Sequence, residues 1–455
     1  MSEWAAVVLA AGQGRRMHSS LPKVLHPLCG KEMVRHVVDA VREAQGGPVL
    51  LIVAPGSDDL RQRLGDQVRY AEQERPLGTG HALMQAERAL KGMADHLLVM
   101  HGDTPLIQTE TLKRLIAQHE DSAAAITLLT SSLVPPEGLG RILRDASGQV
   151  VRIVEEEDAD EGQRAIREVN GGMYAFRAEW LWPALRLLSP SPSGQYYLTD
   201  LVAIAAREGP GVSTASSVEE METFGVNNRV QLAQAERAMR GRILTRWMLA
   251  GVTVVDPLST YVDADVAVGE DTVIYPNTTL SGRTTVGQRC KIGPNSMLDD
   301  SAVGDDCTVV ASMLEGATLE SGVDVGPFSH LRPGAVIESE VHIGNFAEVK
   351  NSRLGRGVKM GHFSYMGDVQ VGKNVNIGAG AITCNYDGVN HNPTTIGDDA
   401  FIGCDTMLVA PVKVGERSVT GAGAVVNRDV PPDSLAVGVP ARLRKRTKKG
   451  EAGSS

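Results

Sequence analysis

Two hydrophobic rhythms divide this chain. In the first, unbroken apolar runs alternate with stretches of helical period. Residues 4–9 (WAAVVL), 49–53 (VLLIV) and 96–101 (HLLVMH) read as buried strands. Residues 33–44 place Val34, Val37, Val38 and Val41 on one helical face, and residues 79–90 and 109–119 read as further helices. A strand over 123–130, hairpin strands over 141–144, 150–155 and 170–176, and helices over 178–188 and 198–207 continue the order. Strands that are apolar at every position, separated by helices, predict a Rossmann-like, mainly parallel sheet covered on both faces. Such sheets bind ligands beyond the carboxyl ends of their strands. A glycine-rich loop (AAGQGRR) follows the first strand, and Asp103 follows the third.

From Val266 to Gly421 the rhythm changes. Aliphatic–glycine pairs recur at Val268-Gly269, Val286-Gly287, Ile292-Gly293, Val303-Gly304 and onward to Val414-Gly415. Gly269 to Gly287 and Gly326 to Gly344 are each 18 residues apart, and Gly287 to Gly293 is 6. One buried aliphatic in every six residues is the hexapeptide β-helix pattern. Each period builds one face of a prism, with the aliphatic inward and the glycine near the corner, where a positive φ is often needed. Three faces take about 18 residues, so the region predicts on the order of nine coils. Residues 228–249 predict an amphipathic connecting helix. The expected parts are residues 1–227, the connecting helix 228–249, the repeats 250–440, and a basic tail 441–455 read as a frayed, solvated terminus, with contact to an anionic ligand as the alternative.

Composition narrows the class. With 455 residues, 42% hydrophobic and 22% charged, the chain reads as a soluble protein of two or more domains. A net charge of −10 opposes a general nucleic-acid binder. The five cysteines (Cys29, Cys290, Cys307, Cys384, Cys404) are scattered, which predicts free thiols in a reducing cytoplasm and no structural zinc. No apolar run approaches the ~20 residues of a membrane span, and no signal peptide is expected.

The loop after the first strand is neither a Walker loop nor a dinucleotide fingerprint, because Met17 stands where a third glycine would be and no GK[ST] follows. Exposed amides with Arg15, Arg16 and Lys23 suit a polyphosphate. The string LAAGQGRRMHSSLPK resembles the L-A-A-G-x-G-T-R-M-x-S-x-x-P-K signature of sugar-phosphate pyrophosphorylases. Gln73 to Ala82 is similar to that family's uracil-reading segment, and Gly102-Asp103-Thr104-Pro105-Leu106 to its metal aspartate. Gly140-Arg141-Ile142, Glu155, Asn170-Gly171-Gly172, Tyr197 to Asp200 and Val226-Asn227 match its sugar and second metal positions.

Together with the repeats, the chain resembles the bacterial family of bifunctional N-acetylglucosamine-1-phosphate uridyltransferases and glucosamine-1-phosphate acetyltransferases. The resemblance spans residues 4 to about 440 and implies a nucleotidyltransferase domain followed by a left-handed β-helix that trimerises, with acetyl-CoA between neighbouring helices. It implies that Leu9, Ala10, Ala11, Gly12, Lys23, Gln73, Gly78, Thr79, His101, Gly102, Asp103, Gly140, Glu155, Asn170 and Asn227 bind UTP and the product UDP-N-acetylglucosamine. Asp103 and Asn227 would hold Mg²⁺, a sparse shell that suits an ion keeping water and phosphate oxygens, and Lys23 and Arg16 would assist catalysis. On the repeats it implies Arg332, Lys350, Tyr365 and Asn376 for glucosamine 1-phosphate. Ala379, Asn385, Tyr386, Cys404 and Ala422 would contact acetyl-CoA, with His362 as general base. The polar NYDGVNHNP excursion (385–393) breaks the aliphatic repeat, as a site would. Arg15, His101, His391 and Cys404 stand where the family usually has Thr, Tyr, Lys and Ser. The product would feed peptidoglycan and lipopolysaccharide precursors. Two competing readings are a single-activity sugar nucleotidyltransferase whose β-helix only assembles trimers or binds a regulator, and a scaffold with dead sites.

Overall fold

Strand Trp4–Leu9 is buried at every residue. Its alternate side chains enter two separate cores: Ala5, Val7 and Leu9 join one, and Trp4, Ala6 and Val8 join the other. A strand can feed two cores only if both faces of its sheet are covered. In the computed structural model this strand lies inside a nine-stranded sheet. Across it run Val212–Ser216, Ile126–Ser131, Val169–Arg177, His96–His101, Trp4–Leu9, Val49–Val53 and Arg69–Glu72. Val169–Arg177 is antiparallel to both neighbours, and the other pairings along this path are parallel. The hairpin Arg141–Arg144 and Val150–Val154 hangs from Val169.

The structure describes residues 3–132, 136–192, 194–219 and 221–445. It separates into two compact units, residues 1–239 and 240–455. The helix read over 79–90 breaks into Thr79–Met84 and Glu87–Leu90. Helix Arg229–Leu249 packs Leu232, Ala235, Ala238 and Met239 against Leu28, Met33, Leu106 and Val226 within the first unit.

The second unit is a left-handed parallel β-helix. Three sheets run along it, of 12, 10 and 9 strands, each strand pairing in parallel with the third one after it until the end of the 12-stranded sheet. There Val419–Thr420 pairs with Ser434–Val437, the second strand after it, and an antiparallel strand closes the sheet. Inward residues stack in columns, as in Val268, Val286, Val303, Leu319, Ile337 and Leu354, all buried and in register. The repeat glycines have a different cause from the one the sequence suggested. At Gly269, Gly287, Gly304, Gly355, Gly378 and Gly397 the φ is not positive. A Cβ at Gly269 would stand 2.7 Å from the Gln288 amide nitrogen of the next coil, and one at Gly378 2.6 Å from that of Cys404. The left-handed corner is two residues further on, at Asp271, Arg289, Asp306 and Asp399. Gly293 and Gly326 combine both features, with φ of 97° and 111°.

Part of the expected tail is ordered. Arg442–Lys445 form a strand antiparallel to Ser434–Val437, with Leu435 opposite Arg444. Residues 446–455 lie outside the described residues.

If the repeat glycines serve close approach of coils, Gly355→Ala destabilises the chain by about 1–3 kcal/mol through overpacking, because its Cβ would meet the Gly372 carbonyl carbon at 2.7 Å. Asp271→Gly, which keeps a φ of 59° without strain, leaves the thermal midpoint nearly unchanged. Thermal denaturation of both variants checks this, and the reverse ranking would return the glycines to a dihedral role.

Candidate functional sites

The carboxyl ends of Trp4–Leu9 and His96–His101 open on a cleft. Leu9, Ala10, Ala11, Gly12, Lys23, Gln73, Gly78, Thr79, His101 and Asp103 line a cavity of about 260 Å³. A second cavity of about 570 Å³ shares Thr79, His101 and Asp103 with it and is walled by Gly140, Glu155, Asn170, Gly172 and Asn227. Gly102 holds the two strand ends together, its amide donating to Leu9 O at 2.9 Å.

A cationic centre sits where the cavities meet. Gly14, at φ 58°, lets the loop fold onto Lys23: the Lys23 amide nitrogen stands 3.4 Å from where a Cβ would be. The Lys23 ammonium is ion-paired with the Asp103 carboxylate and lies 3.1 Å from Asn227 Oδ1; the Lys23 and Asp103 side chains are only 12% and 19% exposed. Arg16 donates to the same Asn227 oxygen at 3.0 Å. The Val226 amide donates to Asp103 O at 2.9 Å, fixing the two metal-type oxygens side by side. A carboxylate and a carboxamide oxygen already converge on one cationic atom. That donor set fits Mg²⁺, which takes few protein oxygens beside water and phosphate. Among the described residues no group of three or more His, Cys, Asp or Glu gathers as a richer metal shell would.

The walls are built by short polar contacts. Gln73 Nε2 donates to Gly78 O at 3.0 Å, and Thr79 Oγ1 accepts from the Leu198 amide at 3.0 Å. Glu155 accepts from Thr199 Oγ1 at 2.8 Å; burial pushes its carboxyl above the usual range, and the nearby acidic groups add to this. Asn170 Nδ2 donates to the Tyr174 hydroxyl at 2.6 Å, and its Oδ1 accepts from the Gly172 amide at 3.0 Å. The His101 ring packs against Gly172, where a Cβ would meet it at 3.1 Å. Burial lowers the His101 pKa, so the ring is neutral near pH 7. Tyr174, Gln195 and Thr223 also line these cavities; they stand in no quoted motif, and only the fold brings them there.

On the repeats two groupings emerge. His362, Ala379, Cys404 and Ala422 occupy one corner of successive coils. The Asp405 amide donates to Ala379 O at 2.7 Å and the Gly423 amide to Cys404 O at 2.8 Å, while the Gly380 amide donates to Phe363 O at 2.7 Å. His362 and Cys404 are exposed. Lys350 and Tyr365 belong to the adjoining sheet, and Arg332 and Asn385 each directly follow one of its strands. There Glu348 is opposite Tyr365 and Lys350 opposite Gly367. Arg332 pairs with Glu348 at 2.9 Å, and Asn385 Nδ2 lies 3.4 Å from the Tyr365 hydroxyl. Gly367 leaves room for both: a Cβ there would stand 2.7 Å from Asn385 Nδ2. Tyr386 is exposed on the excursion, bridged to His391. Asn376 is set apart from Arg332 and Tyr365, in the sheet that pairs it with Lys359 and Phe401.

Two family profiles match the chain: a MobA-like NTP transferase domain over residues 6–173 and a bacterial transferase hexapeptide of six repeats over 393–428. Curated relatives match over nearly the full length. "Bifunctional protein GlmU" of Brevibacillus brevis is 46% identical over 96% of this chain and 95% of its own. The proteins of that name from Halalkalibacterium halodurans and Caldanaerobacter subterraneus are each 46% identical over 99% of this chain and 98% of their own.

Replacing Lys23 with Met removes the central cation of the cleft. We expect inorganic pyrophosphate to bind about 10- to 100-fold more weakly, the scale of hydrogen bonds to charged groups, as read by titration calorimetry. Unchanged affinity would place the polyphosphate elsewhere.

Proposed function

We propose a division of labour within this chain, which belongs to the bifunctional GlmU family. The chain is a bifunctional transferase of UDP-N-acetylglucosamine synthesis, a route that serves the cell wall. One activity acetylates glucosamine 1-phosphate, and the other joins the product to the uridylyl group of UTP, releasing pyrophosphate.

We assign uridylyl transfer to the first unit. The observation that carries this is the convergence of Lys23, Arg16, Asp103 and Asn227 at the strand ends. Gln73, Gly78 and Thr79 hold the uracil end. The amides after Leu9, with Lys23 and Arg16, bind the phosphates of UTP. His101, Gly140, Glu155 and Asn170 hold the sugar so that its phosphate attacks the α-phosphorus in line with the leaving pyrophosphate. Asp103 and Asn227 hold Mg²⁺, which supplies neutralising charge at the phosphate oxygens. Lys23 and Arg16 add fixed positive charge in a partly buried cleft, where it acts more strongly than in water.

We assign acetyl transfer to the repeats. Arg332 and Lys350 bind the phosphate of glucosamine 1-phosphate, and Tyr365 orients the sugar; Asn376, on another sheet of the same chain, joins them from a neighbouring copy of the chain. Acetyl-CoA runs along the corner that carries Ala379, Cys404 and Ala422, with Asn385 and Tyr386 beside it. His362 at the head of that column takes the proton as the sugar amine attacks the thioester carbon; the C–N bond forms, the C–S bond breaks, and coenzyme A leaves as its thiolate, to which the proton can be returned. UTP and acetyl-CoA as substrates, with free thiols, favour a cytoplasmic enzyme; no helix among the described residues is long and apolar enough to cross a membrane.

Asp103→Ala abolishes uridylyl transfer and spares acetylation. His362→Ala slows acetylation about 10²- to 10⁴-fold and spares uridylyl transfer from N-acetylglucosamine 1-phosphate. Assays of each half-reaction in both variants decide; parallel loss of both activities in either folded variant would defeat the two-site assignment. We further propose a homotrimer, since a solenoid offers long faces to its copies. Light scattering should give about three times the chain mass of 48.4 kDa, and a monomer at micromolar concentration would count against it.

A further inference from the structure

One carboxylate ties the excursion 385–393 to the coil beneath it. Asp368 follows strand Ser364–Gly367 in a left-handed conformation, φ 51°. Its Oδ1 accepts from Asn351 Nδ2 at 2.6 Å and its Oδ2 from Asn385 Nδ2 at 2.5 Å, and His391 Nδ1 stands 3.2 Å from that second oxygen. Burial pushes the carboxyl up, but the donors Asn351 and Asn385 and the charges of His391 and Lys350 outweigh it and hold the group below the usual range.

An ionised carboxylate accepts hydrogen bonds and cannot donate them. The Asn385 amide therefore has one orientation, with its NH₂ toward Asp368 and the Tyr365 hydroxyl 3.4 Å from the same nitrogen. Its Oδ1 is left over. Among the described residues that oxygen takes no hydrogen bond, and it is not one of the buried atoms sealed from solvent without a partner. A loop staple alone would leave the direction of this amide without consequence for acetyl transfer, although Asn385 is buried.

We propose that Asp368 is a positioning residue for acetyl transfer, turning the Asn385 carbonyl oxygen outward as the acceptor for a substrate N–H beside the Tyr365 hydroxyl. Both co-substrates carry such a donor: the amine of glucosamine 1-phosphate and the amides of the pantetheine arm of acetyl-CoA. The inference rests on the acetyl site assigned above.

The test is a double-mutant cycle on acetyl transfer, with uridylyl transfer as the control for folding. Asp368→Gly removes the carboxylate while keeping the positive φ without strain. It should lower kcat/KM about 10- to 100-fold, the cost of losing a directed hydrogen bond in a partly buried site. Asp368→Asn should recover most of this: its carboxamide oxygen can face Asn385 while its NH₂ turns to Asn351, whose exposed amide can flip. In an Asn385→Ala background, Asp368→Gly should add little further loss, because the two act through one atom. A rise confined to KM for the sugar phosphate assigns the N–H to the amine, and a rise confined to KM for acetyl-CoA assigns it to the coenzyme. Wild-type rates in Asp368→Gly, or losses that multiply in the double variant, overturn the inference while leaving the acetyl site standing. Absence of acetylation in the unmodified protein overturns the site itself.

Discussion

The second unit depends on how closely parallel backbones stack. Each coil lies directly on the one before it, so every repeat must keep its backbone narrow at the same place. That is why Gly269, Gly355 and Gly378 have next-coil backbone where a Cβ would project. It is also why the bend is displaced two residues on, to positions such as Asp271 and Asp399 that accept a left-handed conformation. The hydrophobic columns follow from the same constraint, since one inward aliphatic per face is all that a narrow prism holds. With coils fixed at this spacing, residues far apart in sequence acquire fixed neighbours, and the His362–Ala379–Cys404–Ala422 corner is one result.

The first unit solves a different problem by different means. Its cleft gathers side chains from segments separated by as much as 211 positions, as for Arg16 and Asn227: the loop after Leu9, the turn carrying Lys23, the end of strand His96–His101, and the segment before helix Arg229–Leu249. The sheet supplies the common end at which they meet, and the charges do the rest. Lys23 and Arg16 share Asn227 Oδ1, so the cations and the oxygens that would take a metal are organised as one cluster.

Legibility followed the size of the hydrophobic signal. The strands WAAVVL, VLLIV and HLLVMH and the aliphatic–glycine period were plain because each buries nearly every apolar residue it has. Arg69–Glu72 and Val212–Ser216 carry no such signal: both lie at the sheet's edges, and neither has a fully buried residue to mark it. The glycine positions were legible but their cause was not, because close approach between coils involves residues about one coil away. Arg442–Lys445 looked like solvated charge, and its pairing with Ser434–Val437 is a backbone matter that composition does not reveal. In the sites, motif strings placed Lys23, Asp103 and Asn227, whereas Tyr174 and Thr223 needed the fold, and the separation of Asn376 from Tyr365 needed the register.

The excursion 385–393 has a consequence for how such a protein can change. Lys359 pairs with Asn376 seventeen positions on, whereas Asn376 pairs with Phe401 twenty-five positions on. The additional residues leave the stack between two faces and return to it without disturbing the pairing of the coils on either side. A solenoid of this kind separates scaffold from chemistry at the level of insertion and deletion: loops can lengthen, shorten or be exchanged at a corner while the columns stay aligned. With the acetyl site proposed above on this excursion, substrate choice would evolve by editing one protrusion, with the load of folding carried elsewhere.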